Sequence, residues 1–260
     1  MNRHLARFVA AITLSFLWSC ASKPTPPPAT QQTNATQNIS SNVARPKPSL
    51  DELLQSAAAK PSTPFEAEGW QSLFDGKSPG GWRETLFSGR GEVECKFGLI
   101  VLKMGDPFTG IGYTNEFPTM DYELAFDAMR LQGSDFFCGL TIPIGTNFCS
   151  LIVGGWGGSL VGISSLDSMD ASENETTRFK DFEQQHWYRI RLRITHDRIE
   201  AWIEKEKFVD VVTAGKRISV RPVDIELSRP FGFSCWQSTA ALREIKMRRV
   251  SEPADRPKRY

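Results

Sequence analysis

The stretch Tyr188-Arg-Ile-Arg-Leu-Arg-Ile-Thr-His-Asp-Arg-Ile-Glu-Ala-Trp-Ile-Glu204 decides the fold of this chain. It begins by alternating large apolar side chains with arginines, and this period of two indicates a β-strand with one buried face. A two-residue turn at His196-Asp197 would pair this strand with residues 198–204. The pairing sets opposite charges together on one face and aliphatic side chains together on the other, so two independent interactions favour one register. The predicted pairs are Arg193 with Glu200, Arg189 with Glu204, Ile194 with Ile199, and Ile190 with Ile203.

Similar patterns extend on both sides of this hairpin. A second alternating stretch places Tyr122, Leu124, Phe126 and Ala128 on one face and Asp121, Glu123 and Asp127 on the other. Further short apolar runs are separated by Gly, Pro or Asp: 92–96, 99–104, 135–142, 148–153, 160–164, 208–212, 231–236 and 241–250. Long helical patterns are missing. Many short strands at such spacing predict an all-β fold, an antiparallel β-sandwich or jelly roll.

The arginine row of the hairpin has two interpretations. Arg189, Arg191 and Arg193 could bind an anionic sugar or a phosphate. Alternatively, they pair with the acidic side chains that the strand pattern places on the same face, which are Glu200, Glu204, Glu123 and Asp127. We favour the second interpretation, a solvated and charge-paired face.

The first twenty residues have the pattern of a secretory signal. Basic residues precede an apolar run over residues 8–18, which is too short to span a bilayer as a permanent helix. The run ends at Leu17-Trp-Ser-Cys20, which resembles the lipobox of bacterial lipoproteins, although Trp18 departs from the usual small residue. The resemblance implies a lipid-anchored envelope protein, acylated at Cys20 and sorted to the outer membrane because Ala21 is not Asp. An ordinary signal peptide with an incidental cysteine is the alternative.

Residues 21–64 differ in composition from the rest of the chain. They contain neither glycine nor aromatic residues. A segment so poor in large apolar side chains cannot bury enough surface to offset its ordering entropy. We predict a disordered tether over 21–64, a folded domain over 65–250 and a basic tail over 251–260. Within the tether, the capping-box spacing of Ser49 and Glu52 predicts one short helix, marginal in isolation.

Charge and cysteine usage exclude some classes of function. The 31 basic and 30 acidic residues leave a net charge of +1, whereas a nucleic-acid-binding protein needs a clear basic excess. Beyond Cys20, four cysteines could form up to two disulfides in an oxidising compartment, or remain buried free thiols. They are Cys95, Cys138, Cys149 and Cys235. The sequence contains no Cys-x-x-Cys motif, which would have indicated a zinc or redox site.

One polar segment holds the candidate reactive groups. Its clustered carboxylates are Asp167, Asp170, Glu173 and Glu175, among Ser, Asn and Thr residues. They could act as an acid–base pair, or Asp167, Asp170 and Glu173 could bind calcium, which prefers clustered oxygen ligands. The alternative is a solvated loop. No other cofactor is indicated.

Three tryptophans are candidate sugar platforms. Trp156 lies within Gly154-Gly-Trp-Gly-Gly158, where the glycines let the backbone turn and leave the indole exposed. Its alternative is a side chain folded back onto the core. The same two interpretations apply to Trp236 and Trp202, and the predicted register places Trp202 on the arginine face.

Five blocks of sequence resemble the family of 3-keto-disaccharide hydrolase domains. They are Leu73-Phe-Asp-Gly-Lys-Ser-Pro-Gly-Gly-Trp82, Gly98-Leu99, Met120-Asp-Tyr-Glu-Leu124, Trp187-Tyr-Arg-Ile190, and Phe231-Gly-Phe followed by Leu242-Arg-Glu-Ile-Lys-Met-Arg. The resemblance covers residues 65–250. It implies a concanavalin-like jelly roll of the lectin and glucanase type and a carbohydrate ligand, with some members cleaving glycosides oxidised at carbon 3. The chain departs from the family at Gly133-Ser-Asp-Phe, where many members have Asn-Ser-Gly and then an arginine.

Two functions follow from this resemblance. The first is an envelope enzyme acting on 3-keto-glycosides or disaccharides, in which Asp167, Asp170, Glu173 or Glu175 removes the acidic C2 proton and Arg178 polarises the ketone. The second is a non-catalytic, lectin-like module that presents the same loop and tryptophans to a glycan.

Overall fold

The computed structural model describes residues 47–222 and 224–250. The predicted signal peptide, Cys20, most of the predicted tether and the tail over 251–260 lie outside these residues. No helix among the described residues has the length and apolar character needed to cross a membrane.

The described residues are almost entirely β-structure. In chain order the elements are α1 (Leu50–Ala59), β1 (Gln71–Ser72), β2 (Trp82–Glu84), β3 (Val93–Lys96), β4 (Leu99–Leu102), β5 (Phe108–Tyr113), β6 (Tyr122–Gly133), β7 (Cys138–Ile144), β8 (Asn147–Gly155), β9 (Leu160–Ser164), β10 (Arg178–Phe179), β11 (Tyr188–Ile194), β12 (Arg198–Ile203), β13 (Glu206–Val212), a 3₁₀ helix (Asp224–Ser228), β14 (Gly232–Trp236) and β15 (Ser238–Arg249).

Two antiparallel sheets form a sandwich. The first has the order β13-β12-β11-β6-β15-β4-β3, with β1 added alongside β15. The second has the order β10-β9-β8-β7-β14-β5-β2. The predicted all-β jelly roll is therefore confirmed. One apolar core between the sheets holds the alternating side chains of both, including Tyr122, Leu124 and Phe126 from β6.

The register predicted for the hairpin is also confirmed. Arg193 lies opposite Glu200, and the two isoleucine pairs form as expected. The Glu204 N–H donates to the Arg189 carbonyl over 2.7 Å, which completes the fourth pair. Thr195 and Arg198 exchange both backbone hydrogen bonds, so the turn is the two-residue turn at His196-Asp197.

Strand β5 was not among the predicted strands, because it contains two glycines. A Cβ on Gly110 would lie 2.6 Å from the Phe87 ring and 2.8 Å from the Phe233 carbonyl oxygen. The ring of Phe87 thus packs directly against the backbone of the strand. Packing therefore requires glycine at position 110, and this glycine interrupts the alternation that would have indicated a strand.

Helix α1 corrects the predicted boundary of the folded domain at residue 65. Ser49 and Glu52 form the expected capping box. The helix buries Leu53, Leu54 and Ala57 against residues of β4, β6 and β15, which are Leu99, Val101, Met129, Leu131 and Ala241. Residues 47–64 are therefore part of the folded unit, because tertiary packing supplies the stability that a ten-residue helix lacks alone.

The charged face of the first sheet is paired, as predicted, but it is not simply solvated. Arg189 Nε lies 2.6 Å from Asp127 Oδ1, and Arg243 Nε lies 3.1 Å from Asp127 Oδ2. Both guanidinium groups also donate to the strap over residues 60–68: Arg243 to the carbonyls of Lys60 and Pro61, and Arg189 to that of Thr63. The ion pairs thus fasten the strap across the sheet. Glu123 is held in the same way by Arg191, Arg193 and Arg248.

The four described cysteines are free thiols. Cys138, Cys149 and Cys235 are buried. Burial raises the pKa of Cys149 and of Cys235 to about 12, so neither is a reactive thiolate at neutral pH. Of the two predicted alternatives, the structure has the buried thiols.

Replacing Asp127 with asparagine tests how much the ion pairs contribute. Because the carboxylate is almost fully buried between two arginines, we expect Asp127→Asn to lower the free energy of unfolding by about 3–5 kcal/mol in urea denaturation. The matched control is Asp210→Asn. That carboxylate pairs with Arg198 and Lys207 on the exposed edge, and its loss should cost about 1 kcal/mol or less. Equal effects of the two substitutions would contradict this account.

Candidate functional site

A cavity lies on the outer face of the second sheet. Alternation along β8 sends Cys149, Leu151 and Val153 into the core between the sheets, so Ile152 points to the opposite face. The cavity there has a volume of about 350 Å³. Its lining consists of Phe108, Asp135, Phe136, Ile152, Trp156, Ser164, Asp170, Arg221, Pro222, Ile225 and Trp236.

Aromatic side chains form one wall of the cavity. The rings of Phe108 and Trp236 meet edge to face, with centroids 4.6 Å apart. Phe136 lies 6.0 Å from Phe108 and 6.4 Å from Trp236. Phe87, stacked 4.9 Å behind Phe108, supports this wall from within. The neighbouring strands fix the spacing of the rings, so the apolar wall is preformed.

Trp156 stands at the rim on the glycine turn. Its side chain is 45% exposed, and the backbone passes through positive φ at Gly154, Trp156, Gly157 and Gly158. The expectation of an exposed indole is confirmed. Asp135 secures the turn, because its Oδ2 accepts a hydrogen bond from the Gly157 N–H over 3.1 Å. Its Oδ1 accepts from the Phe136 N–H over 2.7 Å.

The polar side of the cavity is built around Asp170. Its Oδ1 accepts hydrogen bonds from the Ser164 hydroxyl over 2.6 Å and from the Ala171 N–H over 2.7 Å. Its Oδ2 lies 2.8 Å from Arg221 Nη1. The Asp170 side chain is 17% exposed and that of Arg221 is 61% exposed. Oδ1 thus accepts two hydrogen bonds, whereas Oδ2 contacts the exposed guanidinium of Arg221.

Asn174 determines where Asp170 points. Its side chain is buried, and its amide N–H groups donate to the carbonyls of Ile163 and Asp170, each over 2.7 Å. Its Oδ1 accepts from the N–H and the hydroxyl of Thr176. These bonds fold the segment after β9 around one amide and hold it against the sheet.

Arg130 joins the two loops behind the cavity. Its guanidinium is buried and donates to three backbone carbonyls: Gly158 over 3.2 Å, Asp135 over 3.4 Å and Phe182 over 2.8 Å. Burial lowers the pKa of this guanidinium. The Gly158 carbonyl belongs to the turn that carries Trp156, and the Asp135 carbonyl belongs to the residue that secures this turn. Arg130 therefore fixes the indole relative to the Asp135 side of the cavity.

The structure brings together three of the predicted site residues, Trp156, Trp236 and Asp170, and separates the others. Asp167 and Glu175 both pair with Lys216, at 3.1 and 2.9 Å. The Arg217 N–H and the Lys216 ammonium hold the pKa of the Asp167 carboxyl below its usual range. Glu173 is exposed, and Arg178 lies on the edge strand β10; neither lines the cavity. The prediction of one acidic cluster with Arg178 as its donor is corrected, because the loop turns around Asn174 and sends its carboxylates to different partners.

The same arrangement corrects the calcium hypothesis for Asp167, Asp170 and Glu173. Asp167 faces Lys216, and Asp170 faces Arg221. Among residues 47–222 and 224–250, no group of three or more acidic, histidine or cysteine side chains is placed to hold a metal ion. The ammonium and guanidinium groups neutralise the carboxylates that a calcium ion would need.

Trp202 also lies elsewhere, on the outer face of the first sheet. The Arg191 guanidinium carbon is 3.8 Å from its ring centroid, and Lys207 Nζ is 5.0 Å from it. The predicted position on the arginine face is confirmed, and Trp202 is not among the residues that line the cavity. Two cations cover the indole on the sheet opposite the cavity.

Sequence reasoning missed several lining residues, above all Asp135, Ser164 and Arg221. Asp135 lies within the Gly133-Ser-Asp-Phe segment that departs from the family pattern. That departure is the sequence feature that could have marked Asp135 as a site residue. Arg221 lies in a loop without periodicity, about fifty residues from Asp170 along the chain. No local pattern could have paired them.

Comparison with known proteins agrees with the sheet architecture. A family model described as a 3-keto-alpha-glucoside-1,2-lyase-like domain matches residues 69–248. No curated protein matches the chain.

Several solved structures resemble the chain. A candidate glycosyl hydrolase of Parabacteroides distasonis shares 14% identity over 70% of this chain and 94% of its own, with a TM-score of 0.46. A β-glucanase of Bacillus licheniformis shares 7% over 72% of this chain and 100% of its own, also with a TM-score of 0.46. A carbohydrate-binding module of Bacillus subtilis shares 12% over 65% of this chain and 95% of its own, with a TM-score of 0.40. At such identities the similarity concerns the fold alone.

Two neighbouring glycines test the contact between Arg130 and the Trp156 turn. A Cβ on Gly158 would lie 2.7 Å from the Ser134 carbonyl oxygen and 2.9 Å from Arg130 Nη1, whereas one on Gly157 would meet no atom within 4 Å. Both residues have positive φ. We expect Gly157→Ala to cost about 1–2 kcal/mol of unfolding free energy through backbone strain alone. Gly158→Ala should cost about 1–3 kcal/mol more, because it also displaces the guanidinium. Equal urea midpoints for the two variants would contradict the contact between Arg130 and this turn.

Proposed function

We propose a function from the premise that this chain belongs to the family of 3-keto-alpha-glucoside-1,2-lyase-like domains. The cavity on the second sheet binds a glucoside that is oxidised at carbon 3 and eliminates its aglycone. One observation carries the proposal: a carboxylate and a guanidinium, Asp170 and Arg221, lie 2.8 Å apart at the polar side of an aromatic-lined cavity.

The lining suits one face of a sugar ring. The exposed indole of Trp156 offers a flat apolar surface to the C–H groups of a pyranose. The polar side chains beside it accept or donate hydrogen bonds to hydroxyl groups. A few convergent polar groups in an otherwise apolar cleft are typical of small-ligand sites.

The chemistry follows from the ketone. A carbonyl at carbon 3 acidifies the hydrogen on carbon 2, so a carboxylate can remove it. Asp170 Oδ2 takes this proton, because Ser164 and the Ala171 N–H already occupy Oδ1. Arg221 donates to the oxygen on carbon 3 while that oxygen carries the negative charge of the enolate.

The elimination is then complete without a co-reactant. The electron pair of the enolate forms the double bond between carbons 1 and 2, and the carbonyl at carbon 3 is restored. The bond from carbon 1 to the glycosidic oxygen breaks, and that oxygen takes a proton from solvent. Asp170 returns the proton from carbon 2 to solvent, which regenerates its carboxylate. One glucoside yields one unsaturated keto-sugar and one aglycone alcohol.

A second function, non-catalytic glycan binding, is favoured by one specific observation. Both cavity carboxylates already accept hydrogen bonds from the protein: Asp170 from Ser164 and Ala171, and Asp135 from Phe136 and Gly157. Each such bond occupies an oxygen lone pair that would otherwise be available to take a proton. A carboxylate held in this way is well suited to accept sugar hydroxyl groups without removing a proton from carbon.

Release of the aglycone from a 3-keto-glucoside distinguishes the two functions. We expect the purified protein to release it, and Asp170→Asn to lower kcat by about 100-fold or more, as for loss of a general base. Trp156→Ala should raise KM by about tenfold, because the indole contributes stacking to binding. The matched control is Glu173→Gln, an exposed carboxylate in the same loop, whose rate should stay within about twofold of wild type.

The outcomes separate clearly. If no aglycone is released but the 3-keto-glucoside binds and Trp156→Ala weakens that binding, the protein is a binding module. If Asp170→Asn and Glu173→Gln behave alike, Asp170 is not the base. If nothing binds, the proposal of a carbohydrate site is wrong.

We also propose that Cys20 anchors the domain to the bacterial envelope. The support is the lipobox-like stretch that ends at this cysteine, followed by the Pro-rich segment that begins at residue 24. In a bacterial host, we expect Cys20→Ala to move the protein from the membrane pellet to the soluble fraction. Cys95→Ala, which changes a partly exposed free thiol of the domain, should leave it in the pellet. An unchanged distribution of the Cys20 variant would contradict the anchor.

A further inference from the structure

The geometry points to an aglycone that is flat and apolar, such as an aryl group, rather than a second sugar. This inference rests on the proposed function of the same cavity and specifies its substrate class. It also departs from the disaccharide that the sequence resemblance implied. The polar and the apolar side chains line different sides of the cavity.

The polar groups gather at one side. Ser164, Asp170 and Arg221 are bonded to one another through the Asp170 carboxylate. A sugar ring placed against them finds a charged acceptor, Asp170, and a charged and exposed donor, Arg221. This side provides what one sugar ring requires.

The remaining wall provides almost nothing polar. It consists of the aromatic group Phe108, Phe136 and Trp236, continued by the aliphatic side chains of Ile152 and Ile225. The two phenylalanines and two isoleucines are each less than 9% exposed, so they present packed, water-poor surface. An apolar ring placed there gains about 25 cal/mol for each square ångström that it removes from water.

A second sugar would fit this wall poorly. Its hydroxyl groups would lose their water, and each one left without a partner costs about 1–3 kcal/mol. Outside the Asp170 group, the described lining residues add the indole N–H donors of Trp156 and Trp236, and the only side chain among them with acceptor oxygens is that of Asp135. Both of its oxygens already accept backbone N–H groups, from Phe136 and Gly157.

The size of the cavity agrees with this division. Its volume of about 350 Å³ lies near the lower end of the roughly 300–1,000 Å³ typical of ligand sites. One sugar ring and one planar aglycone ring are a compact ligand. A longer glycan would extend beyond the lining into solvent.

Calorimetric titration with three 3-keto-glucosides tests the inference. They share one sugar and differ only in the aglycone, which is phenyl, methyl or glucosyl. We expect the phenyl compound to bind the wild-type protein about tenfold or more tightly than the other two. In Trp236→Leu, which shortens the aromatic wall, the preference for the phenyl compound should fall to about threefold or less. Trp202→Leu, on the opposite sheet, is the matched control and should keep the full preference.

Failure of this inference differs from failure of the proposed function. If the glucosyl compound binds as tightly as the phenyl compound and Asp170→Asn weakens both, the cavity is a sugar site and the aryl inference is wrong. The inference is also wrong if the phenyl preference persists unchanged in Trp236→Leu. If none of the three compounds binds, the proposed function is overturned together with the inference.

Discussion

Strand β6 is covered on both faces, and much of the structure follows from that constraint. One face supplies Tyr122, Leu124 and Phe126 to the core between the sheets. The other face carries Glu123 and Asp127, two carboxylates that are almost completely buried. A buried carboxylate is tolerated only where cations and hydrogen-bond donors replace its water. The arginines of β11 and β15 supply them, and the same guanidinium groups hold the strap across the sheet.

The same strand also leads to the site. Arg130 lies near the end of β6, where the strand leaves the charged face, and it reaches the carbonyls of Asp135 and Gly158. The position of Trp156 is thereby tied to a strand whose first ten residues are all buried. Asp170 is placed by a separate device, the amide of Asn174. The cavity thus combines strand side chains with two loops, and each loop is fixed to the sheet by one buried polar side chain that satisfies backbone carbonyls.

Local patterns predicted the parts of this fold that depend on alternation. The hairpin of β11 and β12 formed in the predicted register, because charge pairing and apolar burial both repeat every two residues. Strand β5 could not be predicted in this way, because Gly110 accommodates the ring of Phe87 and interrupts the alternation of side chains. Helix α1 was recognised from its cap but placed in the tether. The stability of such a short helix comes from Leu54 and its neighbours, packed against strands that follow it in the chain.

The sequence by itself determined the two-sheet architecture and the pairing of the arginine row, but it left Trp156 either exposed or folded back onto the core. Only the tertiary structure decided which carboxylate belongs to the cavity. Asp167 and Asp170 are three residues apart in one polar loop, and nothing local distinguishes them. One pairs with Lys216 and the other with Arg221, about fifty residues further along the chain. Alternation repeats over two residues and can be read locally, whereas the direction of a loop side chain depends on distant partners that only folding brings near.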